Sequence, residues 1–359
     1  MLPLELYTCL WLNLNLRGKT IEAMVMELAI ELGTSNTAIF LNNTGLVLFE
    51  PTVVAFSRSA KRNKIKAFGK DALRLLSTNP DDTVLISPID GGLLLDVDAC
   101  VLMLKDYIKR LIPKTAILNP KFRSVLNVPI GLSDKERAAF ESVCYRAGIN
   151  DVILIDSILS SAVGMDLPIA SDGCFCVINI GAGRTDIAVV SNNCVIEGCS
   201  LNIGGNLLDM AIMEYFGTTL GVNVTRTAAI KLKHDIGSLY PNDGLETQVL
   251  GLNASNSQPV NIVLKSLDIY GVIKPYFDKI LDGIKSVLSN CTQQVVQDIQ
   301  YKGIYLCGGS SQIPGIDVMY QDLLGVSVWS VDNAIYTSIM GAGKLLYFKD
   351  LLADVIKKS

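Results

Sequence analysis

Two short glycine-bearing turns are the residues in this chain best placed to do chemistry. The segment ELGTSNTAI occupies positions 31 to 39, and NIGAGRTDI occupies 179 to 187, 148 residues further on. In each copy an apolar run, Leu28 to Ile30 or Cys174 to Ile178, meets an acid or amide. A turn containing glycine follows, and then a second run rich in β-formers. That pattern predicts a β-hairpin with a small-residue tip. Gly33, Gly181 and Gly183 permit backbone conformations that other residues resist, and exposed N–H groups at such tips form anion-binding concavities. One such turn usually does no more than turn the chain. A repeat at nearly half-chain spacing suggests two tips that face each other and hold a polyphosphate from both sides.

A third glycine element, GIYLCGGSS at 303 to 311, runs an apolar strand into Gly308 and Gly309 and then toward a helix. That order lets a flat ring or a phosphate approach the main chain closely. It is neither G-x-G-x-x-G nor a Walker A lysine loop, so the dinucleotide-fold and P-loop readings lose their fingerprints.

The elements that must position these turns alternate strand and helix. Val125 to Val128 reads as a strand. Ser133 with Glu136 forms a capping box, and Ala139, Phe140, Val143, Cys144 and Ala147 trace one helix face that Gly148 ends. Val152 to Ile155 is the next strand, and the chain from Ser160 onward reads as helix. Ile269 to Leu288 has helical spacing, with Pro275 as a kink or first-turn residue, and Asn253 to Pro259 reads as a surface loop. Apolar strands joined through helices indicate parallel sheets buried on both faces, an α/β class.

Composition narrows the function classes. A chain of 359 residues can bury several cores, and with half its residues apolar and only 18% charged, disorder is a poor description. The 31 basic against 35 acidic residues, without an extended basic block, leave no footprint for nucleic acid. A single histidine, His234, removes zinc sites built on paired histidines and all but excludes Ser-His-Asp and Cys-His nucleophiles. Its plain reading is a surface or capped residue. Nine scattered cysteines with no C-x-x-C indicate neither a disulfide framework nor a thiolate cage, which fits a reducing cytoplasm. No uncharged apolar run reaches 18 residues, and Arg17 follows the apolar Leu2 to Leu16 stretch where a secretory signal would be led by a basic residue. Residues 1–26 read as an extension of unknown role, since Met24 or Met26 could equally begin the pattern.

Taken together, the stretches ELGTSNTAIF (31–40), FEPTVVAF (49–56), AFGKDA (67–72), NVPIGLSDKERAAF (127–140), VILIDSILSSAVG (152–164), NIGAGRTDIAVV (179–190), IGGNLLDMAI (203–212), KHDIGSLYP (233–241), LCGGSSQIPGID (306–317) and GAGKLL (341–346) resemble the actin-like ATPase superfamily, and within it the MreB family of bacterial actins. The resemblance implies a duplicated, ribonuclease H-like fold of two lobes with a nucleotide cleft between them. Lobe I would comprise 27–168 and 334–359, with a small subdomain at about 57–80. Lobe II would comprise 169–333, with a small subdomain at about 207–266.

It also implies ATP and Mg²⁺ as ligands. Gly33, Thr34, Ser35 and Asn36 would form the first phosphate loop, and Gly181, Ala182, Gly183, Arg184 and Thr185 the second. Gly204, Gly205, Lys231 and Lys233 would lie on the adenosine side, with Gly308, Gly309, Ser310 and Ser311 at the adenine. This chain departs from the family where it matters. Glu31 stands for the usual Asp near the magnesium, and Asn179 for a second Asp, removing a negative charge. Asp156 replaces the longer acid that would orient the attacking water, and Arg184 replaces a hydroxyl residue, with Thr185 kept beside it.

Asp156, Arg184 and Thr185 are therefore the expected catalytic residues, working with impaired geometry. Phosphoryl transfer depends on positioning, and a displacement of about 1 Å can lower its rate about 100-fold. A guanidinium at Arg184 could tighten ATP, stabilise the transition state, or fill the space the water needs.

By the same resemblance, the expected partners are further copies of the chain in filaments, other MreB-like proteins, and the inner leaflet of the cell membrane. Ile117 and Leu118, flanked by Lys114 and Lys121, fall where the family carries a membrane loop. The expected location is cytoplasmic and peripheral at the membrane, with a role in cell shape or motility. The alternative is a kinase of the same superfamily acting on a sugar or acid.

Overall fold

The computed structural model describes residues 25–58, 64–113, 120–241 and 243–358. The expected extension up to residue 24 and the expected membrane loop at Ile117 and Leu118 lie outside the described residues.

Two five-stranded sheets carry the fold. In the first, strands Val25–Leu32, Asn36–Leu41 and Gly45–Pro51 form an antiparallel meander, and Lys121–Val128 and then Asp151–Asp156 add in parallel beyond Val25–Leu32. In the second, Phe175–Ile180, Thr185–Ser191 and Cys194–Leu201 form the meander, and Ile304–Cys307 and Val328–Ser330 add in parallel beyond Phe175–Ile180. Order and direction are the same in both, so the sequence repeat is a repeat of a whole sheet. Glu31 and Asn179 occupy equivalent places: each faces the hairpin partner strand on one side, at Ala38 or Asp186, and the parallel strand on the other, at Asn127 or Cys307.

The strands read as apolar runs because both faces are covered. Seven consecutive residues of Thr185–Ser191 are buried. Helices Val97–Leu111 and Asp134–Ala147 cover one face of the first sheet through Cys100, Met103, Leu104, Tyr107, Phe140 and Val143. Helix Ser266–Asn290 covers the second through Ile269, Ile273, Phe277, Ile280, Ile284 and Val287, a spacing of three and four residues that keeps one stripe inward.

A third core lies between the sheets, where Ala29, Phe40 and Val125 of the first meet Val177, Ala188 and Val190 of the second. Helices Ser157–Gly164 and Thr337–Tyr347 fill this space, the latter through Ile339, Ala342, Leu345 and Leu346, with Val355 of the last helix added to the same core. They cross at backbone distance. A β-carbon at Gly341 would lie 1.7 Å from the Ser160 carbonyl oxygen, which no side chain can tolerate.

Several local expectations are met as written. The Ser133 and Glu136 capping box is formed in both directions, and Gly148 ends its helix with φ of 104°. Three others shift. The helix expected from Ser160 begins at Ser157, because Ser157 to Val163 are all buried between the sheets and packing overrides the weak local propensity of Ser-Ile-Leu-Ser. Pro275 lies well inside its 25-residue helix rather than in the first turn, where the buried stripe on both sides carries the helix through the missing N–H. The loop expected over Asn253 to Pro259 is narrower, since Asn253 and Pro259 each belong to a strand.

Two small sheets project from the main ones. Val54–Ser57, Ile65–Phe68 and Thr83–Ile86 form one beside helix Gly69–Thr78, and Val222–Asn223, Glu246–Asn253 and Pro259–Lys265 form the other. Among the described residues the chain has eleven α-helices, none of them long and apolar enough to cross a membrane.

Candidate functional site

The two hairpin tips meet. A β-carbon at Gly183 would lie 2.6 Å from Thr34 Oγ1 and 2.8 Å from the Gly91 amide nitrogen, so only glycine allows the second tip this close to the first. Each tip is closed by its own main chain: Gly33 N–H donates to Asn36 O at 3.0 Å, and Gly181 N–H to Arg184 O at 2.9 Å. The turn at Gly91 and Gly92 completes the contact, its Gly92 N–H donating to Thr34 Oγ1 at 3.2 Å.

The third glycine element joins the second tip from the other side. Gly308, with φ of 84°, packs against Asn179 and the Ile180 carbonyl, and Ser310 Oγ donates to Gly181 O at 2.9 Å. Ser311 Oγ closes its own turn on Gly308 O at 2.8 Å, and Gly309 faces the side chain of Ile335. Helix Gly205–Thr219 starts in the same place: the N–H groups of Gly205 and Asn206 donate to the carbonyls of Gly181 and Ala182 at 3.0 and 2.7 Å, while Gly204 packs on Ala182 and Arg184.

The two expected lysines part company. Both lie on helix Arg226–Ile236. Lys233 is buried, its ammonium donating to Gly205 O at 3.0 Å and to Asp209 Oδ1 at 2.6 Å. Lys231, two residues away and therefore on another face, is exposed and pairs with Asp235. His234 is exposed on the same helix.

Beneath the tips lies a polar floor between the sheets. Burial pushes the Glu31 carboxyl up to about 7, against hydrogen bonds with Ser338 and Asn127 that favour its charged form. Asn127 is itself fixed, its amide donating to Ser338 Oγ at 2.8 Å while its oxygen accepts from Ser160 Oγ at 2.7 Å. Asn179 reaches toward Ser161 Oγ at 3.5 Å.

The three residues expected to act on the reacting phosphate each have partners within the protein. Asp156 Oδ1 accepts from Arg137 Nη1 at 2.8 Å, so its carboxylate is held against helix Asp134–Ala147. Thr185 is buried with its hydroxyl donating to Ile203 O at 2.7 Å. The Arg184 guanidinium bonds to Asp186 Oδ1 at 3.1 Å, to Ser200 Oγ, and across to Gly91 O at 3.4 Å and Ile130 O at 3.0 Å. Burial raises the Asp186 carboxyl above the usual range, with Arg184 and Ser200 opposing it.

Sequence reasoning missed Arg137, Asp209, Asn127, Ser200 and Ser338. Arg137 and Asn127 sit inside the NVPIGLSDKERAAF stretch and Asp209 inside IGGNLLDMAI, so a signal was present there. Nothing local to Ser338 or Ser200 marks either.

The donor set bears on magnesium. Among the described residues no group of three or more His, Cys, Asp or Glu side chains could hold a metal ion. Of the acids at the site, Asp156 and Asp186 are bound to arginines, which leaves Glu31 as the one carboxylate facing the floor without such a partner. Mg²⁺ typically takes one or two carboxylates plus phosphate oxygens. The residues therefore fit an ion carried in with a polyphosphate better than one caged by the protein.

Comparison with known proteins gives a consistent result. A family model described as MreB/Mbl protein matches residues 25–353. The cell shape-determining protein MreB of Escherichia coli K12 is 31% identical over 328 residues, 90% of this chain and 94% of that one. The crystal structure of MreB5 of Spiroplasma citri bound to ADP superimposes with a TM-score of 0.84 at 25% identity, covering 92% of this chain and 98% of that one. A MamK double helical filament shares the fold, with a TM-score of 0.76 at 18% identity over 90% of this chain and 99% of its own.

Proposed function

This chain belongs to the MreB/Mbl family of actin-like cytoskeletal, cell shape-determining proteins, and on that premise we propose that it binds an adenine nucleotide between its two lobes and self-assembles into filaments. The observation that carries the reading is the meeting of the two hairpin tips, with Gly183 at backbone distance from Thr34. Two glycine turns from equivalent places in a duplicated sheet would frame one crevice in which N–H groups from both lobes could approach a phosphate chain. Gly308 to Ser311 and the buried Lys233 would flank the nucleoside. The lobes would divide near residues 168 and 334. The ADP held by MreB5 of Spiroplasma citri and the filament formed by MamK support both halves of the reading.

Mg²⁺ would enter with the nucleotide beside Glu31 and supply charge neutralisation at the phosphates. With Asp156 held by Arg137 and Arg184 engaged, turnover would be slow. Filaments would gather at the inner leaflet of the membrane through Ile117 and Leu118, alone or with other MreB-like proteins. Two apolar side chains contribute about 3 to 6 kcal/mol at best, which suffices only when many subunits act together.

The test is sedimentation and negative-stain microscopy of the purified protein with Mg²⁺-ATP, with phosphate release read on the same sample. Filaments with release well below that of an ordinary MreB are expected. Protein that stays monomeric with nucleotide bound rejects the filament reading, and protein that takes up no nucleotide rejects the cleft. Serine at Ile117 and Leu118 should abolish pelleting with liposomes, and unchanged pelleting rejects the membrane contact.

A further inference from the structure

Among the described side chains at the site, Arg184 has the most partners. Arg184 is anchored to the second sheet by Asp186, on the strand that begins just after it, and by Ser200 on the next strand opposite Asp186, and Ser200 Oγ donates in turn to Asp186 Oδ1 at 2.5 Å. From this anchor the guanidinium crosses to the first lobe. It donates to the carbonyl of Ile130, just beyond strand Lys121–Val128, and to that of Gly91, in the turn between the short strands Ile89–Asp90 and Leu93–Leu94. Both acceptors are main chain, so the contact does not depend on a side chain that can swing away. Gly92, with φ of 75°, is shaped to it: a β-carbon there would lie 2.5 Å from Arg184 Cδ and 3.0 Å from Pro129 Cγ. Nearly all the guanidinium N–H groups are in use, which leaves little of the fork for a phosphate.

We propose that Arg184 is a strut across the cleft: it holds the second hairpin against the main chain of the first lobe, keeps the cleft closed without a γ-phosphate, and thereby sets how weakly this protein distinguishes ATP from ADP. The physical logic is population shift. A ligand moves an equilibrium only by its differential affinity for the two states, so a cleft already closed by a protein contact gains little from one more phosphate. A threonine or serine at this position is too short to reach either carbonyl and would leave closure to the nucleotide. The inference rests on the proposed nucleotide cleft and assigns Arg184 a positioning role within it.

Amide hydrogen exchange of the Gly91 and Gly92 turn reads the strut from the first-lobe side: Gly92 N–H is bonded to Thr34 within that lobe, and the turn is held from the second lobe by Arg184 and by the packing of Gly183 on Gly91. It would be measured on the full chain without nucleotide, with ADP, and with a non-hydrolysable ATP analogue. In the native protein the turn should be protected in all three states, within about threefold of each other. In Arg184→Thr it should exchange at least about tenfold faster without nucleotide and with ADP, and recover with the ATP analogue, within the range of ordinary coupling. Arg184→Lys keeps the charge but cannot span both carbonyls, and should behave like the threonine variant.

Unchanged protection in Arg184→Thr overturns the strut, and so does full rescue by lysine, which would make the effect one of charge alone. Ser200→Ala loosens the anchor and should shift exchange in the same direction by a smaller factor, which decides the matter should the threonine variant fail to fold. The concentration needed for assembly should differ less than about threefold between ADP and the ATP analogue in the native protein and more than about tenfold in Arg184→Thr. A large difference already present in the native protein refutes the proposal. If neither form assembles, the filament reading fails, and the exchange data still decide the strut.

Discussion

Removing the carboxylate of Asp209 should cost this protein more stability than any surface change, because it strands a buried ammonium. The Lys233 and Asp209 side chains are 9% and 3% exposed and meet at 2.6 Å. In Asp209→Ala, Lys233 keeps the Gly205 carbonyl at 3.0 Å as an acceptor and loses its carboxylate partner. Breaking a buried pair from one side costs about 3 to 5 kcal/mol, whereas replacing both partners with apolar groups of similar volume is often neutral or better. Retention of the Gly205 contact places the expected loss near the lower end, at about 3 kcal/mol. The double variant Asp209→Leu with Lys233→Met should return to within about 1 kcal/mol of the native protein. Urea unfolding at pH 7.5, fitted with a common slope, measures both. A single variant within about 1 kcal/mol of native, or a double variant no better than the single, would refute the claim that the pair is a desolvated charge couple. Nucleotide affinity should fall in both variants, since both lose the Lys233 ammonium or its orientation beside Gly205.

Three further outcomes follow from the same geometry. The Glu31 carboxyl titrates near 4.5 when unfolded and at about 7 when folded, so between those values the folded state holds a proton that the unfolded chain does not. Its contribution is then complete below about pH 4.5 and is lost as pH rises through 7, a ceiling of about 3 kcal/mol that partial solvent access reduces. Glu31→Gln should therefore flatten the fall in stability between pH 5 and 8 and gain about 1 to 2 kcal/mol at pH 8, and parallel pH profiles for the two proteins would contradict the burial argument. Gly341→Ala should destabilise by about 3 kcal/mol or more in thermal or urea unfolding, because the crossing of helices Ser157–Gly164 and Thr337–Tyr347 leaves no room for a methyl group. An alanine there that unfolds like the native protein would mean that the helices do not cross at this point. Arg137→Ala should release Asp156, lowering stability by about 1 kcal/mol and raising phosphate release by up to about tenfold as the carboxylate becomes free to turn toward a water. An unchanged rate would dissociate Asp156 from the reaction.

What could be read from the sequence were the features made by neighbouring residues. The capping box at Ser133, the glycine stop at Gly148, the apolar stripe from Ile269 to Val287 and the two glycine hairpins all depend on short-range spacing, and all are formed. The duplication was legible too, because equivalent turns 148 residues apart had to serve equivalent sheets. Helix Ser157–Gly164 began earlier than its residues alone suggest, since its first turn is held by packing between the sheets rather than by a side-chain cap. The partners of the charged groups were not legible at all. Nothing near Asp156 in the chain says that Arg137 will claim it from the helix just before its strand, and nothing near Arg184 says that its acceptors will be main-chain carbonyls more than fifty residues away.

By itself, then, the sequence determined which residues turn, which bury and which pair along a strand, because hydrogen-bond spacing and apolar periodicity are local. Which charge meets which, and whether a guanidinium faces a phosphate or spans a cleft, was decided only by how the two sheets pack against each other. An electrostatic contact depends on distance in space, and the tertiary fold alone sets that distance.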